Sequence, residues 1–168
     1  MEHKIIGQDS QEEVAQLFTS VFTASEGEKE GRLIGTLASD LAAEIDHQDI
    51  ICFGTYEAQL ILGSIFFTRL QFDESVKVYM LAPVAVRTDY QGQGIGQALI
   101  KFGLTELKNR SVDVVVTYGD PSFYTKVGFC SLSEDIIQAP LQLSMPEGWL
   151  GQSLTGEPMP TIRERPTC

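Results

Sequence analysis

Apolar positions along this chain of 168 residues alternate between a helical and a strand rhythm, and each switch marks an element boundary. Ile5 and Ile6 predict a short first strand. Val14, Leu17, Phe18, Val21 and Phe22 recur at helical spacing and predict an amphipathic helix. Ser10 followed by Glu13 forms a capping-box pattern at its start. Ala24 to Gly31 is polar and breaks the rhythm, and Leu33, Ile34, Leu37 and Leu41 then predict a second helix. The break predicts a loop, either a plain surface connection or a mobile lip beside a substrate site.

From Ile50 the rhythm becomes that of strands. Ile50 to Tyr56 and the β-rich run from Leu60 to Phe72, separated by Glu57-Ala58-Gln59, predict an antiparallel hairpin. Phe72-Asp73-Glu74-Ser75 reads as a polar turn, and Val76 to Val86 as a further strand. Pro83 lies inside that strand; lacking an N–H, it marks a bulge or an unpaired position. Ile95, Ala98, Leu99 and Phe102 then define one face of a helix, with Leu104 and Leu107 flanking and Asn109-Arg110-Ser111 ending it. Val112 to Tyr118 predicts a central strand parallel to the one before the helix, a right-handed βαβ unit. Ser122 to Lys126 predicts a turn or two of helix, and Val127-Gly128-Phe129 leads into another strand. From Ala139 onward the periodicity fades, and Leu141, Leu143, Met145, Trp149 and Leu150 are expected to pack an irregular tail against the body.

Length favours a single domain over residues 1–168, with a core of about residues 5–135 and residues 136–168 as an extension packed on it. Twelve basic against 23 acidic residues give a net charge of −11. That balance argues against nucleic acid, which is held by clustered Lys and Arg. It would attract a cationic amine, or it serves solubility alone. Cys52, Cys130 and Cys168 are far apart and form no metal spacing, and only His3 and His47 are present, so no metal site is expected. Cys52 sits in an apolar run and is expected to be a buried small hydrophobe. No apolar run approaches the roughly 18 residues of a membrane span, and the N-terminus lacks a signal-peptide core. The chain therefore reads as soluble and cytoplasmic, with no membrane partner.

The chemistry concentrates in Val84-Ala85-Val86-Arg87-Thr88-Asp89-Tyr90-Gln91-Gly92-Gln93-Gly94-Ile95-Gly96-Gln97. An apolar strand runs through a glycine-rich turn into a helix. Backbone N–H groups are left unpaired at a helix N-terminus, and glycines remove the Cβ atoms that would hold a ligand away. Such a turn suits a phosphate or pyrophosphate. The spacing is G-x-G-x-G rather than the dinucleotide G-x-G-x-x-G, and Asp113 lies at the start of the next strand, where it cannot reach a ribose. No Lys-Ser or Lys-Thr follows the glycines, so the P-loop pattern also fails.

Gln-x-x-Gly-x-Gly, carried by Gln91, Gly94 and Gly96 after a Val-x-Val strand end, resembles the acetyl-CoA-binding motif of the GNAT superfamily of N-acetyltransferases. Gly119-Asp120-Pro121-Ser122-Phe123-Tyr124-Thr125-Lys126-Val127-Gly128-Phe129 resembles that superfamily's last motif, and the element order over about residues 5–135 is also similar. The resemblance implies an α/β fold, a mixed, mostly antiparallel twisted sheet with helices on both faces. It implies acetyl-CoA as cosubstrate, with Val84, Ala85 and Val86 offering backbone groups to the pantetheine arm. Gln91, Gly92, Gln93, Gly94, Ile95, Gly96 and Gln97 would offer N–H groups to the pyrophosphate. One anion at a helix start is worth about 0.3–1 kcal/mol when exposed, so micromolar affinity, about −8 kcal/mol, needs several such groups. The thioester would lie where the flanking strands splay apart, and Pro83 is compatible with that.

By the same resemblance Tyr124 is the general acid that protonates the leaving thiolate, or else packs on the cofactor. Its hydroxyl, with an ordinary pKa near 10, carries its proton at pH 7. Phe123 and Phe129 read as core, and Lys126 as a solvated surface cation rather than a partner of the cofactor's 3′-phosphate. Some family members place a Glu on the strand before the glycine turn; Val76 to Pro83 contains no carboxylate. Glu57, Asp73, Glu74 and His47 are candidate bases on position alone. The resemblance thus implies acetyl transfer to a primary amine of a small molecule, peptide or protein, seated against the first two helices near Ala24 to Gly31 and the tail. The missing base keeps a catalytically silent acyl-CoA-binding module as the alternative. Family members are often homodimers, and the apolar tail would serve as that interface or close the core.

Overall fold

The computed structural model describes residues 1–72, 75–162 and 166. In chain order it forms β1 (Glu2–Ile6), α1 (Gln11–Glu26), α2 (Glu28–Ala43), β2 (Ile50–Glu57), β3 (Leu60–Leu70) and β4 (Val78–Val86). Then come α3 (Ile95–Asn109), β5 (Val114–Tyr118), α4 (Pro121–Tyr124), β6 (Cys130–Ser131) and β7 (Trp149–Ser153). The strands follow the order β1-β2-β3-β4-β5-β7-β6 in one mixed, mostly antiparallel sheet of seven. β4 and β5 run parallel with α3 between them, as the βαβ reading anticipates, in register from Val78↔Val114 to Leu81↔Thr117. β1 lies antiparallel to β2, from Glu2↔Tyr56 to Ile6↔Cys52.

The chain divides into two compact units, Met1–Phe67 with Pro83–Gly103, and Thr68–Ala82 with Leu104–Cys168. The first holds a core of Val14, Leu17, Phe18, Ala38, Cys52 and Phe66 among others. Cys52 is fully buried as expected, and burial pushes its thiol pKa up to about 12, with the Ser64 hydroxyl 3.3 Å away. The second unit's core is built on Val78, Val114, Val116, Ile137 and Trp149.

Several expectations are corrected here. The capping box does not form: Ser10 makes no side-chain cap bond, and Glu13 Oε1 accepts instead from the Tyr56 hydroxyl at 3.0 Å. Burial of that hydroxyl makes it the more demanding partner. Ala24 to Gly31 is not a loop. α1 runs to Glu26 and α2 starts at Glu28, with Gly27 alone, at φ 98°, turning the chain.

The buried face of α2 is also not its leucine stripe. Gly31, Gly35, Ala38 and Ala42 face inward, while Leu33 and Leu37 are 56% and 44% exposed. The helices pack so closely that a Cβ on Gly31 would lie 1.8 Å from Thr23 Oγ1, and one on Gly35 1.9 Å from Thr19 Oγ1. Large side chains cannot occupy that seam. On α3, likewise, Ala98 is exposed while Ile100 is buried.

The tail is not irregular throughout. β7 inserts between β5 and β6, pairing Tyr118↔Trp149 to Val114↔Ser153 on one side and Cys130↔Gly151 on the other. Trp149 and Leu150 are buried, whereas Leu141 and Met145 are 77% and 59% exposed.

Candidate active site

The glycine turn belongs to the first unit. Past β4, the Arg87 N–H donates to Leu62 O at 2.7 Å and its Nε donates to Ile61 O at 2.9 Å, fastening the strand end to β3. A single 3₁₀ turn over Thr88–Tyr90 follows, with Tyr90 N–H donating to Arg87 O at 2.8 Å. Gln91 Nε2 reaches back and donates to Val86 O at 2.9 Å. The Gln91 side chain therefore closes the loop onto the strand, and Val86 O already has a donor.

Gly92 and Gly94 sit at φ 80° and 81°, a region that L side chains rarely adopt. No heavy atom lies within 4 Å of a Cβ built on either. Gly94 O accepts from Ala98 N–H at 3.0 Å, the first bond of α3. Ile95, Gly96 and Gln97 thus hold the opening positions of the helix, where an N–H has no acceptor within the helix itself. The turn is exposed from Gln91 to Gly94. The first N–H groups of α3 therefore adjoin an exposed glycine turn, and Gln91 to Gly94 carry no cationic side chain.

Tyr124 belongs to the second unit. The β4–β5 ladder ends at Leu81↔Thr117, where the buried Thr117 Oγ1 donates to Leu81 O at 2.8 Å. Next along the chain, Asp120 caps α4 by accepting from Ser122 N–H at 2.9 Å, and Tyr124 N–H donates to Asp120 O at 3.1 Å. The Tyr124 ring lies against Gly119, where a Cβ would stand 2.6 Å from its Cε2. Phe123 and Phe129 meet it edge-on, with centroids 5.0 and 5.8 Å away. Burial raises the Tyr124 pKa above its ordinary 10.0; the Asp120 charge adds to this, and a hydrogen bond with the Thr117 side chain opposes it. The hydroxyl is therefore a held, fully protonated donor at neutral pH. Phe129 is buried as core, Phe123 is half-buried and Lys126 is exposed.

Of the candidate bases, Glu57 and His47 are both exposed, and His47 sits at φ 62° in a turn organised by the Asp46 carboxylate. Asp73 and Glu74 lie outside the described residues. Among the described residues no group of three His, Cys, Asp or Glu side chains is placed to hold a metal ion. No helix among them is long and apolar enough to cross a membrane.

Sequence reasoning missed a cavity of about 560 Å³ in the second unit, lined by Met80, Tyr118, Pro140, Leu141, Leu143 and Trp149 among others. Its walls come from the segment read as an irregular tail. Pro140 and Leu141 alone gave no sign that β7 would fold that segment back over β5.

A family model described as an acetyltransferase (GNAT) domain matches residues 20–131. The chain belongs to the GNAT family of acetyltransferases. YjhQ of Escherichia coli (strain K12), which bears the name uncharacterized N-acetyltransferase, is 33% identical over 138 residues, 78% of this chain and 74% of that one. The similarly named YhbS of the same strain is 34% identical over 70 residues, 41% of this chain and 42% of its own. The crystal structure of E. coli YhbS in complex with CoA superposes with a TM-score of 0.74 at 21% identity, over 92% of this chain and 81% of that one. A GNAT family acetyltransferase from Brucella melitensis in complex with acetyl-CoA gives 0.68 at 23% identity, over 95% and 91%. At these identities the structural likenesses carry the fold. GNAT membership makes the chain an acyltransferase.

Proposed function

We propose that this GNAT protein moves an acetyl group from acetyl-CoA to a primary amine by direct attack on the thioester. The Gly92–Gly94 turn and the first N–H groups of α3 take the pyrophosphate, and the end of β4, Val84 to Val86, runs beside the pantetheine arm. The lone pair of the neutral amine attacks the carbonyl carbon, the C–S bond breaks, and the thiolate takes the Tyr124 proton. The amine loses its extra proton to water, and Tyr124 is reprotonated from solvent. The observation that carries this reading is the pair of glycines at positive φ with open space above both, directly at the start of a long helix. That construction leaves the backbone open to an approaching anion.

The test is thermal unfolding with acetyl-CoA, CoA and NAD in parallel. A ligand at 100 times its Kd adds about 2.7 kcal/mol. Stabilisation by acetyl-CoA and not NAD, abolished in Gly94→Glu, is the expected result; no stabilisation at millimolar acetyl-CoA refutes the reading. β4 carries no carboxylate, which favours a second reading, a silent acyl-CoA-binding module. That module would be stabilised by acetyl-CoA yet release no thiol with any amine.

A further inference from the structure

We infer that the cavity of the second unit is the acceptor pocket, and that its acceptor is a small, weakly basic primary amine on an apolar body, such as an arylamine. The inference rests on the acetyltransferase reading above and adds the acceptor's chemistry to it.

Position comes first. Side chains alternate across a strand, so Met80 and Tyr118 point away from the face that carries Leu81 and Thr117. Tyr124 bonds Thr117 on one face of the ladder end, and the cavity opens beside Met80 and Tyr118 on the other. Acyl transfer needs that division: the nucleophile must reach the carbonyl without displacing the donor that serves the sulfur.

The wall chemistry comes next. None of the described residues lining the cavity is charged. Its two best polar groups are already engaged. The Tyr118 hydroxyl accepts from Met145 N–H at 2.6 Å and lies 3.0 Å from Ser144 Oγ, and the Trp149 indole N–H donates to Ile137 O at 2.9 Å. Gln142 is the remaining polar side chain of the lining, and no carboxylate faces an entering ammonium to offset its loss of water, which favours the neutral amine. The same wall offers no carboxylate to deprotonate it. An acceptor must then supply its own neutral form. An alkylamine with a pKa of about 10.4 is neutral in about one part per thousand at pH 7.4, whereas an α-amino group at about 7.7–8.0 is neutral in roughly a fifth to a third. Arylamines are neutral throughout. The volume, within the usual range of small-ligand pockets, accommodates an aromatic ring with substituents. The lining segment from Ala139 to Trp149 lies beyond the residues 20–131 that the family model matches.

Trp149 is the chain's one tryptophan and lines the cavity, so its fluorescence reports occupancy independently of turnover. The full-length protein is titrated with p-anisidine, leucinamide, phenethylamine and spermidine, and thiol release from acetyl-CoA is followed with each. The expected result is a saturable Trp149 emission change with p-anisidine and leucinamide. Their kcat/KM should exceed that of phenethylamine by about a hundredfold, with spermidine inert. Leu141→Glu, at an exposed rim position, should raise the p-anisidine KM at least tenfold and leave stabilisation by acetyl-CoA unchanged. Spermidine or phenethylamine as the best substrate overturns the pocket assignment while leaving acetyl transfer standing. So does turnover without a Trp149 response, or a response to p-anisidine without thiol release. Failure of acetyl-CoA itself to stabilise the protein overturns the acetyltransferase reading and the acceptor inference with it.

Discussion

Gly119 is a sensitive place to test the proposed role of Tyr124 without touching Tyr124. A Cβ there would stand 2.6 Å from the tyrosine Cε2, about 0.8 Å inside ordinary van der Waals contact. Its φ needs no glycine, so Gly119→Ala adds volume and nothing else. The ring has nowhere simple to go, because Phe123 and Phe129 hold it edge-on at 5.0 and 5.8 Å. Cε2 adjoins the carbon that bears the hydroxyl, so a ring pushed aside as a body carries the hydroxyl with it by a comparable distance. A misplacement near 1 Å costs a catalytic group about a hundredfold, so kcat should fall about 10- to 100-fold. Overpacking should cost about 1–3 kcal/mol of stability, which urea unfolding would read. In the proposed reading Tyr124 serves the sulfur and not the pyrophosphate, so stabilisation by acetyl-CoA should be unchanged. The decisive assay is a double-mutant cycle on thiol release. If Gly119 acts through the hydroxyl, Gly119→Ala costs nothing further in kcat on a Tyr124→Phe background. A full additive loss on that background, or a wild-type kcat in Gly119→Ala alone, refutes the positioning argument.

The remaining predictions concern proton and packing equilibria. Because burial raises the Tyr124 pKa above 10.0, its proton-donating form should persist through pH 10, and kcat measured with an arylamine should show no alkaline loss below that value. An alkaline limb near pH 8 would assign the acid to another group. Cys52 is raised from 9.0 to about 12, so its contribution to stability is complete below pH 9 and fades as pH climbs toward 12, by about 4 kcal/mol at most. Cys52→Ala should therefore lose less stability between pH 8 and 11 than the wild type, by urea unfolding at each pH; parallel losses would discount the thiol. Gly31→Ala brings a Cβ within 2.8 Å of the Thr23 backbone nitrogen, and should destabilise by about 1–2 kcal/mol despite alanine's better helix propensity of about 1 kcal/mol. A raised melting temperature in that variant would mean the α1–α2 seam is looser than described.

Elements whose signal is local were legible in the residues. The β2–β3 hairpin, the βαβ unit and the glycine turn are each written in contiguous stretches of the chain. Periodicity, Pro83 and the glycines act on the backbone at the place where they stand. The buried face of α2 was not legible, for the opposite reason. Leu33 and Leu37 have the higher hydrophobicity, but close approach of α1 admits only Gly31, Gly35, Ala38 and Ala42 at the seam. That competition between area and distance is settled by the partner helix and leaves no trace in α2 alone. The same holds for Ser10 and Glu13, whose local cap loses to a tyrosine hydroxyl 43 residues from Glu13.

The candidate site divides along the same line, and its two halves differ in how they are encoded. In the proposed reading a pyrophosphate is met by backbone N–H groups, so its recognition is written as glycines at fixed spacing, which survives in a single sequence. The acceptor is met by side chains brought together from β4, β5, the Ala139–Leu143 segment and β7. No spacing rule joins Met80 to Leu143; β7 does so by pairing with β5 from Tyr118↔Trp149 onward. The two halves also need opposite environments. The turn gains from water-facing donors that an anion can replace, while a pocket without a base gains from excluding water and charge, because that keeps the amine neutral. A carboxylate on β4 would relieve the second demand, and Met80 stands on the face where it would act. Met80→Glu should therefore move the acceptor preference toward basic alkylamines, raising phenethylamine turnover relative to p-anisidine. An unchanged ratio in a folded variant would mean that the amine is deprotonated elsewhere and that the apolar wall plays no part in selecting it.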